Sequence, residues 1–171
     1  MIKLERTFLA KSLPSLIRCK KVEILDIYIP SYFDYPRIRL REHGDKYDIT
    51  RKYEVEEGDH SKLLEESIQI TNGEFCALEK EVKGKRVHKF RYFYSVAGRV
   101  AEIDVFRGDL QGLVLVGFKF TKESEMYAFK MPSFCLSEVT DMDFIAGGML
   151  CGKSYKDIEK HLALYNYKKI I

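Results

Sequence analysis

The stretch Glu102-Ile-Asp-Val-Phe-Arg-Gly-Asp-Leu-Gln-Gly-Leu-Val-Leu-Val-Gly-Phe-Lys-Phe120 carries the clearest structural pattern in the chain. Its first half alternates acidic and apolar residues, with Glu102 and Asp104 set against Ile103 and Val105. The chain turns at Gly108-Asp109, and a β-branched and aromatic run returns from Leu113 to Phe120. Successive side chains of a strand point to opposite faces, so the pattern predicts a β-hairpin with two carboxylates on one face.

The segments before the hairpin repeat this alternation. Lys85, Lys89 and Arg91 share one parity, Phe90, Tyr92 and Tyr94 take the other, and Ala97-Gly98 turns into the hairpin. Thr71-Asn-Gly-Glu74 has the form of a capping box and predicts a helix from about Asn72 to Glu81. A short strand is expected near Glu65 to Ile70, with either Glu65 or Glu66 on its inner side. Tyr47 to Val55 alternates after a turn at Gly44-Asp45, placing Asp48, Thr50 and Lys52 opposite Ile49, Arg51 and Tyr53. Arg37, Arg39 and Arg41 put three guanidinium groups on one strand face. Val22 to Ile29 reads as a strand ended by Pro30, and Ile2 to Ala10 sets Lys3, Glu5 and Thr7 against Ile2, Leu4 and Phe8. Beyond Phe120, Thr140 or Asp141 is expected to cap a helix reaching Ala146, and a last helix runs from about Ser154 to Tyr165.

Composition sets the outer bounds. With 171 residues, 46% hydrophobic and 13% aromatic, and no Ser/Gly/Pro-rich linker, the chain has the content of one globular domain over residues 1–171. Twenty-nine basic against 26 acidic residues leave a net charge of +3, too balanced to call for nucleic acid. The opening Met1-Ile-Lys-Leu-Glu-Arg mixes charges where a signal peptide needs an apolar run, and no stretch has membrane-spanning length, so a cytoplasmic protein without a membrane partner is expected. Cys19, Cys76, Cys135 and Cys151 show no Cys-x-x-Cys spacing and are expected as reduced thiols. His43, His60, His88 and His161 have no ligand spacing.

Gly147-Gly-Met-Leu-Cys-Gly152-Lys153-Ser154 matches a phosphate-binding loop in form. Such a loop needs a buried parallel strand before it and a separate acidic strand for Mg²⁺. Neither is available, and helix punctuation accounts for the residues: Gly152 ends one helix, and Ser154 with Asp157 caps the next.

Glu-x-Asp-x-Phe, the glycine-bearing turn and the strand closing on Phe120 resemble the C-terminal hairpin of the CYTH superfamily, the triphosphate tunnel metalloenzymes. Glu5-Arg6 before Phe8-Leu9 is similar to that family's opening strand, Arg39-Leu-Arg41 to its Arg-x-Arg strand, Thr50-Arg-Lys52 to its Thr-x-Lys strand, and Lys89-Phe-Arg91 to its Lys-x-Arg strand. Pro132 and Glu138-Val139-Thr140 resemble its closing segment. The resemblance implies an α+β fold, an antiparallel eight-stranded β-barrel forming a tunnel, with flanking helices and a C-terminal helix.

It also implies that the polar strand faces point into the lumen, where alternating charge would otherwise mark a solvated outer face. Arg37, Arg39, Arg41, Lys52, Lys89, Arg91, Lys3 and Lys119 then form the phosphate-binding set for a triphosphate-bearing small molecule or inorganic polyphosphate. Glu5, Glu102 and Asp104 are the carboxylates left to hold Mg²⁺ or Mn²⁺. The family's opening strand reads Glu-x-Glu-x-Lys and its returning strand ends in Glu-x-Glu-Phe. Here Lys3, Gly117 and Lys119 stand for three of those carboxylates and Thr7 for the lysine. The lumen thereby loses three negative charges, gains two positive ones and loses one, a degenerate metal motif. The expected function is therefore binding of a triphosphate or polyphosphate with weak or no metal-dependent hydrolysis. The alternatives are a working metal-dependent triphosphatase or, further off, an adenylate cyclase, and an inert scaffold for a protein partner.

Overall fold

The computed structural model describes residues 2–170. Met1 and Ile171, the ends of the expected domain, lie outside the described residues. In chain order the elements are β1 (Ile2–Ala10), β2 (Lys20–Ile29), β3 (Ile38–His43), β4 (Lys46–Glu54), β5 (Lys62–Ile70), α1 (Asn72–Glu81), β6 (Lys85–Val96), β7 (Arg99–Phe106), β8 (Val114–Phe120), α2 (Glu123–Ala128), β9 (Cys135–Glu138), α3 (Gly147–Leu150) and α4 (Tyr155–Ala163).

The sheet runs β5-β4-β3-β2-β6-β7-β8-β1, and β1 returns to pair with β5, closing an eight-stranded antiparallel barrel. One edge of β1 serves two partners. Residues 2–4 pair with β5 and residues 8–10 with β9, which lies outside the closed ring. The hairpin of β7 and β8 sets Glu102 opposite Gly117 and Asp104 opposite Leu115. Its tip is a 3₁₀ turn, Gly108–Leu110, entered with Gly108 at φ +60°, a conformation that favours glycine.

Apolar faces point outward and are covered by the helices. Phe8, Ile103, Val116 and Phe118 pack beneath Met126 of α2, and Phe75 of α1 packs on Ile27 and Leu40. The Thr71–Glu74 capping box forms and starts α1 at Asn72. At one end of the barrel the lumen parity itself turns apolar. Val87, Phe106 and Leu115 join Val139, Leu150, Ile158 and Leu162, so the C-terminal segment seats on that end.

The expected helix from Thr140 to Ala146 does not form. Residues Asp143–Ile145 make a 3₁₀ turn without a side-chain cap. Thr140 is used elsewhere: its hydroxyl accepts from the Thr7 amide at 3.1 Å and lies 2.6 Å from the Glu138 carboxylate, which stitches the segment onto β1. α2 and β9 have no counterpart in the sequence pattern. Before the glycine-rich motif the chain is thus a turn and not a strand. Gly152, at φ +72°, lies two residues beyond the end of α3, just past its cap residue Cys151, and the Asp157 carboxylate accepts from the Ser154 amide at 2.7 Å at the start of α4. Among the described residues no helix is long and apolar enough to cross a membrane.

Candidate functional site in the barrel lumen

Strand parity and closure bring the charged faces together around a cavity of about 240 Å³. All eleven residues expected in the lumen line it. Lys3 and Glu5 come from β1, Lys119 from β8, Arg39 and Arg41 from β3, Lys52 from β4, Lys89 and Arg91 from β6, and Glu102 and Asp104 from β7; Arg37 immediately precedes β3.

Near the start of β1 the site is rich in lysine. Lys3 donates to Glu65 at 2.5 Å, Lys52 to Glu5 at 2.6 Å, and Lys119 to Glu102 at 2.5 Å. Further in, Arg91 donates two hydrogen bonds to Asp104, at 2.6 and 2.8 Å, and Lys89 donates to the same carboxylate at 2.6 Å. Facing them, Arg41 donates two bonds to Asp26, at 2.6 and 2.7 Å. Toward the covered end Arg37 donates to Glu54 at 2.7 Å, beneath the Tyr35 ring.

The lining includes three carboxylates that the sequence patterns left unassigned. Glu65, not Glu66, is the inward residue of its pair; Glu66 stands opposite Arg51 in the β4–β5 ladder. Asp26 and Glu54 also line the lumen. An acid flanked by Leu25 and Ile27 was the available mark of Asp26. It is obscured because Ile24, on the same parity, is also buried, so β2 lacks a clean polar face.

Burial would raise each of the central carboxyls, but neighbouring cations overcome it. Arg41 and Arg39 hold Asp26 well below the usual carboxylate range, and Arg91 and Lys89 do the same to Asp104. Lys52 likewise keeps Glu5 low. Burial pushes Lys89 down from the ordinary lysine value, only partly offset by Asp104. Among the described residues two buried side-chain polar atoms have no hydrogen-bond partner, Arg39 Nε and His43 Nε2.

Eight cationic and six anionic side chains line the cavity, an excess of two positive charges. Each of the six carboxylates accepts from a lysine or arginine. Among the described residues no group of three or more His, Cys, Asp or Glu side chains is arranged in this structure to hold a metal ion. What the lumen offers is a set of forked and point cations in a confined space, the chemistry of a polyanion receptor.

No protein-family model matches the chain. The inorganic triphosphatase of Nitrosomonas europaea is 34% identical over 142 residues, covering 82% of this chain and 91% of that protein. A crystal structure of an inorganic triphosphatase superposes with a TM-score of 0.64 at 29% identity, covering 87% of this chain and 93% of that one. A conserved hypothetical protein from Pyrococcus furiosus shares the fold, with a TM-score of 0.50 at 14% identity over 98% of this chain and 92% of its own.

Proposed function

Because this chain belongs to the CYTH superfamily, with the Nitrosomonas inorganic triphosphatase among its relatives, we propose that it binds tripolyphosphate or a triphosphate-bearing small molecule in the barrel lumen without metal, with hydrolysis weak or absent. The observation that carries this reading is the placement of Lys119. It stands across from Glu5 in the β1–β8 ladder and donates to Glu102 at 2.5 Å, so an ammonium group already neutralises a carboxylate otherwise available to a metal cation. Lys3 does the same to Glu65.

Tethered ammonium groups supply charge neutralisation to phosphoryl oxygens. They do not lower the pKa of a bound water as a divalent metal does, so binding is retained where hydrolysis is not. Arg39 adds a guanidinium whose Nε has no hydrogen-bond partner.

The test is a thermal-shift titration with tripolyphosphate in EDTA and again with Mg²⁺ or Mn²⁺, since a ligand of the native state raises the melting temperature. A rise in EDTA that disappears in the Lys3→Ala/Lys119→Ala protein is the expected result. A rise only with metal, together with phosphate release, would make the protein a metal-dependent triphosphatase, the alternative that identity with the Nitrosomonas enzyme favours. No rise in either condition would leave the barrel as a scaffold.

A further inference from the structure

Asp26 is 1% exposed in the middle of the lumen, and its carboxylate is held by both Nε and Nη2 of Arg41. That parallel two-bond grip is the geometry by which a guanidinium takes a phosphoryl group. The fork of Arg41 is therefore already filled by an anion belonging to the protein. On the opposite wall Asp104 fills the fork of Arg91 in the same way. Arg39, between the lysine-rich region and Asp26, is different: its Nε forms only a long ion pair with Asp26 Oδ1, at 3.9 Å and beyond hydrogen-bond reach, and that buried Nε has no hydrogen-bond partner.

We propose that Asp26 is a specificity-determining residue, a resident carboxylate that stands in for one phosphoryl group and so sets the length of linear polyphosphate the lumen accepts. This rests on the polyphosphate-binding reading above. The ligand's phosphoryl groups lie along Lys3, Lys52 and Lys119, reach Arg39 as their innermost contact, and stop there, because the next guanidinium is neutralised and a further phosphoryl group would meet the charge of Asp26. Arg41 is thus a positioning partner of Asp26 and not a contact of the ligand.

Isothermal titration of pyrophosphate and tripolyphosphate, in EDTA at one ionic strength, compares the natural protein with Asp26→Asn, which keeps the shape and removes the charge. Tripolyphosphate is expected to tighten about tenfold or more, and pyrophosphate by no more than about threefold, because only the longer anion approaches position 26. Equal tightening of both, or unchanged or weaker tripolyphosphate binding, would overturn the proposal while leaving the functional reading intact. Absence of binding to either protein would overturn both. Should Asp26→Asn not fold, the natural protein serves: on addition of tripolyphosphate the Nε–H NMR resonance of Arg39 is expected to move and that of Arg41 to stay. Comparable movement of the Arg41 resonance would overturn the proposal.

Discussion

Lys119 and Glu5 are directly opposed residues of the β1–β8 ladder, and two residues along Thr7 opposes Gly117, so the four positions form a patch on the lumen wall. Lys119 also reaches Glu102 on β7, whose ladder partner is Gly117. Lys119, Gly117 and Thr7, where the family resemblance implies two carboxylates and a lysine, therefore meet in one place, and Lys3, where it implies a third carboxylate, lies on the same strand face.

Placing carboxylates at these positions tests the proposed separation of binding from hydrolysis. A Cβ at Gly117 would meet nothing nearer than the Glu102 carbonyl at 3.8 Å, so the position has room for a side chain. The Lys3→Glu/Gly117→Glu/Lys119→Glu protein is expected to fold, to lose the tripolyphosphate-induced rise in melting temperature in EDTA, and to gain one that requires Mn²⁺. Phosphate release that becomes Mn²⁺-dependent in this variant would complete the case. A variant that still binds tripolyphosphate in EDTA would refute it.

Acid should unfold the protein through its lumen. Asp26 and Asp104 are held below their ordinary value of 3.8, and Glu5 below 4.5, by the cations they accept from. Carboxyls with a depressed folded-state pKa bind fewer protons in the native than in the unfolded chain. Their stabilisation is complete above the unfolded value and is lost as pH falls through the folded one. The urea midpoint is expected to change little from about pH 7 to about pH 5.5 and to fall steadily below about pH 4.5. A midpoint independent of pH down to about pH 2.5 would contradict the assignment.

Phe118 anchors the outer core where β1 and β8 pair. It is fully buried, with the rings of Phe129 and Phe8 at 4.5 and 6.0 Å. Phe118→Ala should cost about 3–5 kcal/mol in equilibrium urea unfolding, the range for removing a buried aromatic. A loss below about 1 kcal/mol would mean that this face repacks freely.

Gly148 and Gly73 should respond oppositely to alanine. At Gly148 the new methyl would lie 2.3 Å from the Pro36 carbonyl and 2.8 Å from the Tyr35 ring, so the segment lining the covered end of the lumen must shift. A loss of about 1–3 kcal/mol is expected. At Gly73, within α1, the nearest atom is 3.9 Å away, and alanine should stabilise by about 0.4–1 kcal/mol through the unfolded chain. Thermal melts of the two variants decide both points.

The sequence by itself determined which charges share a face. Lys89 with Arg91, Glu102 with Asp104, and Arg37 with Arg39 and Arg41 follow from the two-residue period of a strand, and that period is a property of the local backbone. The Thr71–Glu74 cap and the Gly152 and Ser154 punctuation were legible for the same reason: their partners lie within a few residues. Whether those faces look inward was decided only by the tertiary structure, because it depends on β1 meeting β5 through Ile2–Leu64 and Leu4–Lys62, residues far apart in the chain. The same closure selects Glu65 over Glu66, the β1–β9 pairing draws Thr140 onto β1 instead of into a helix, and the β2–β3 register sets Asp26 beside Arg41. Each of these outcomes depends on which segment pairs with which and in what register, and a local alternation of polar and apolar residues carries no record of its partner.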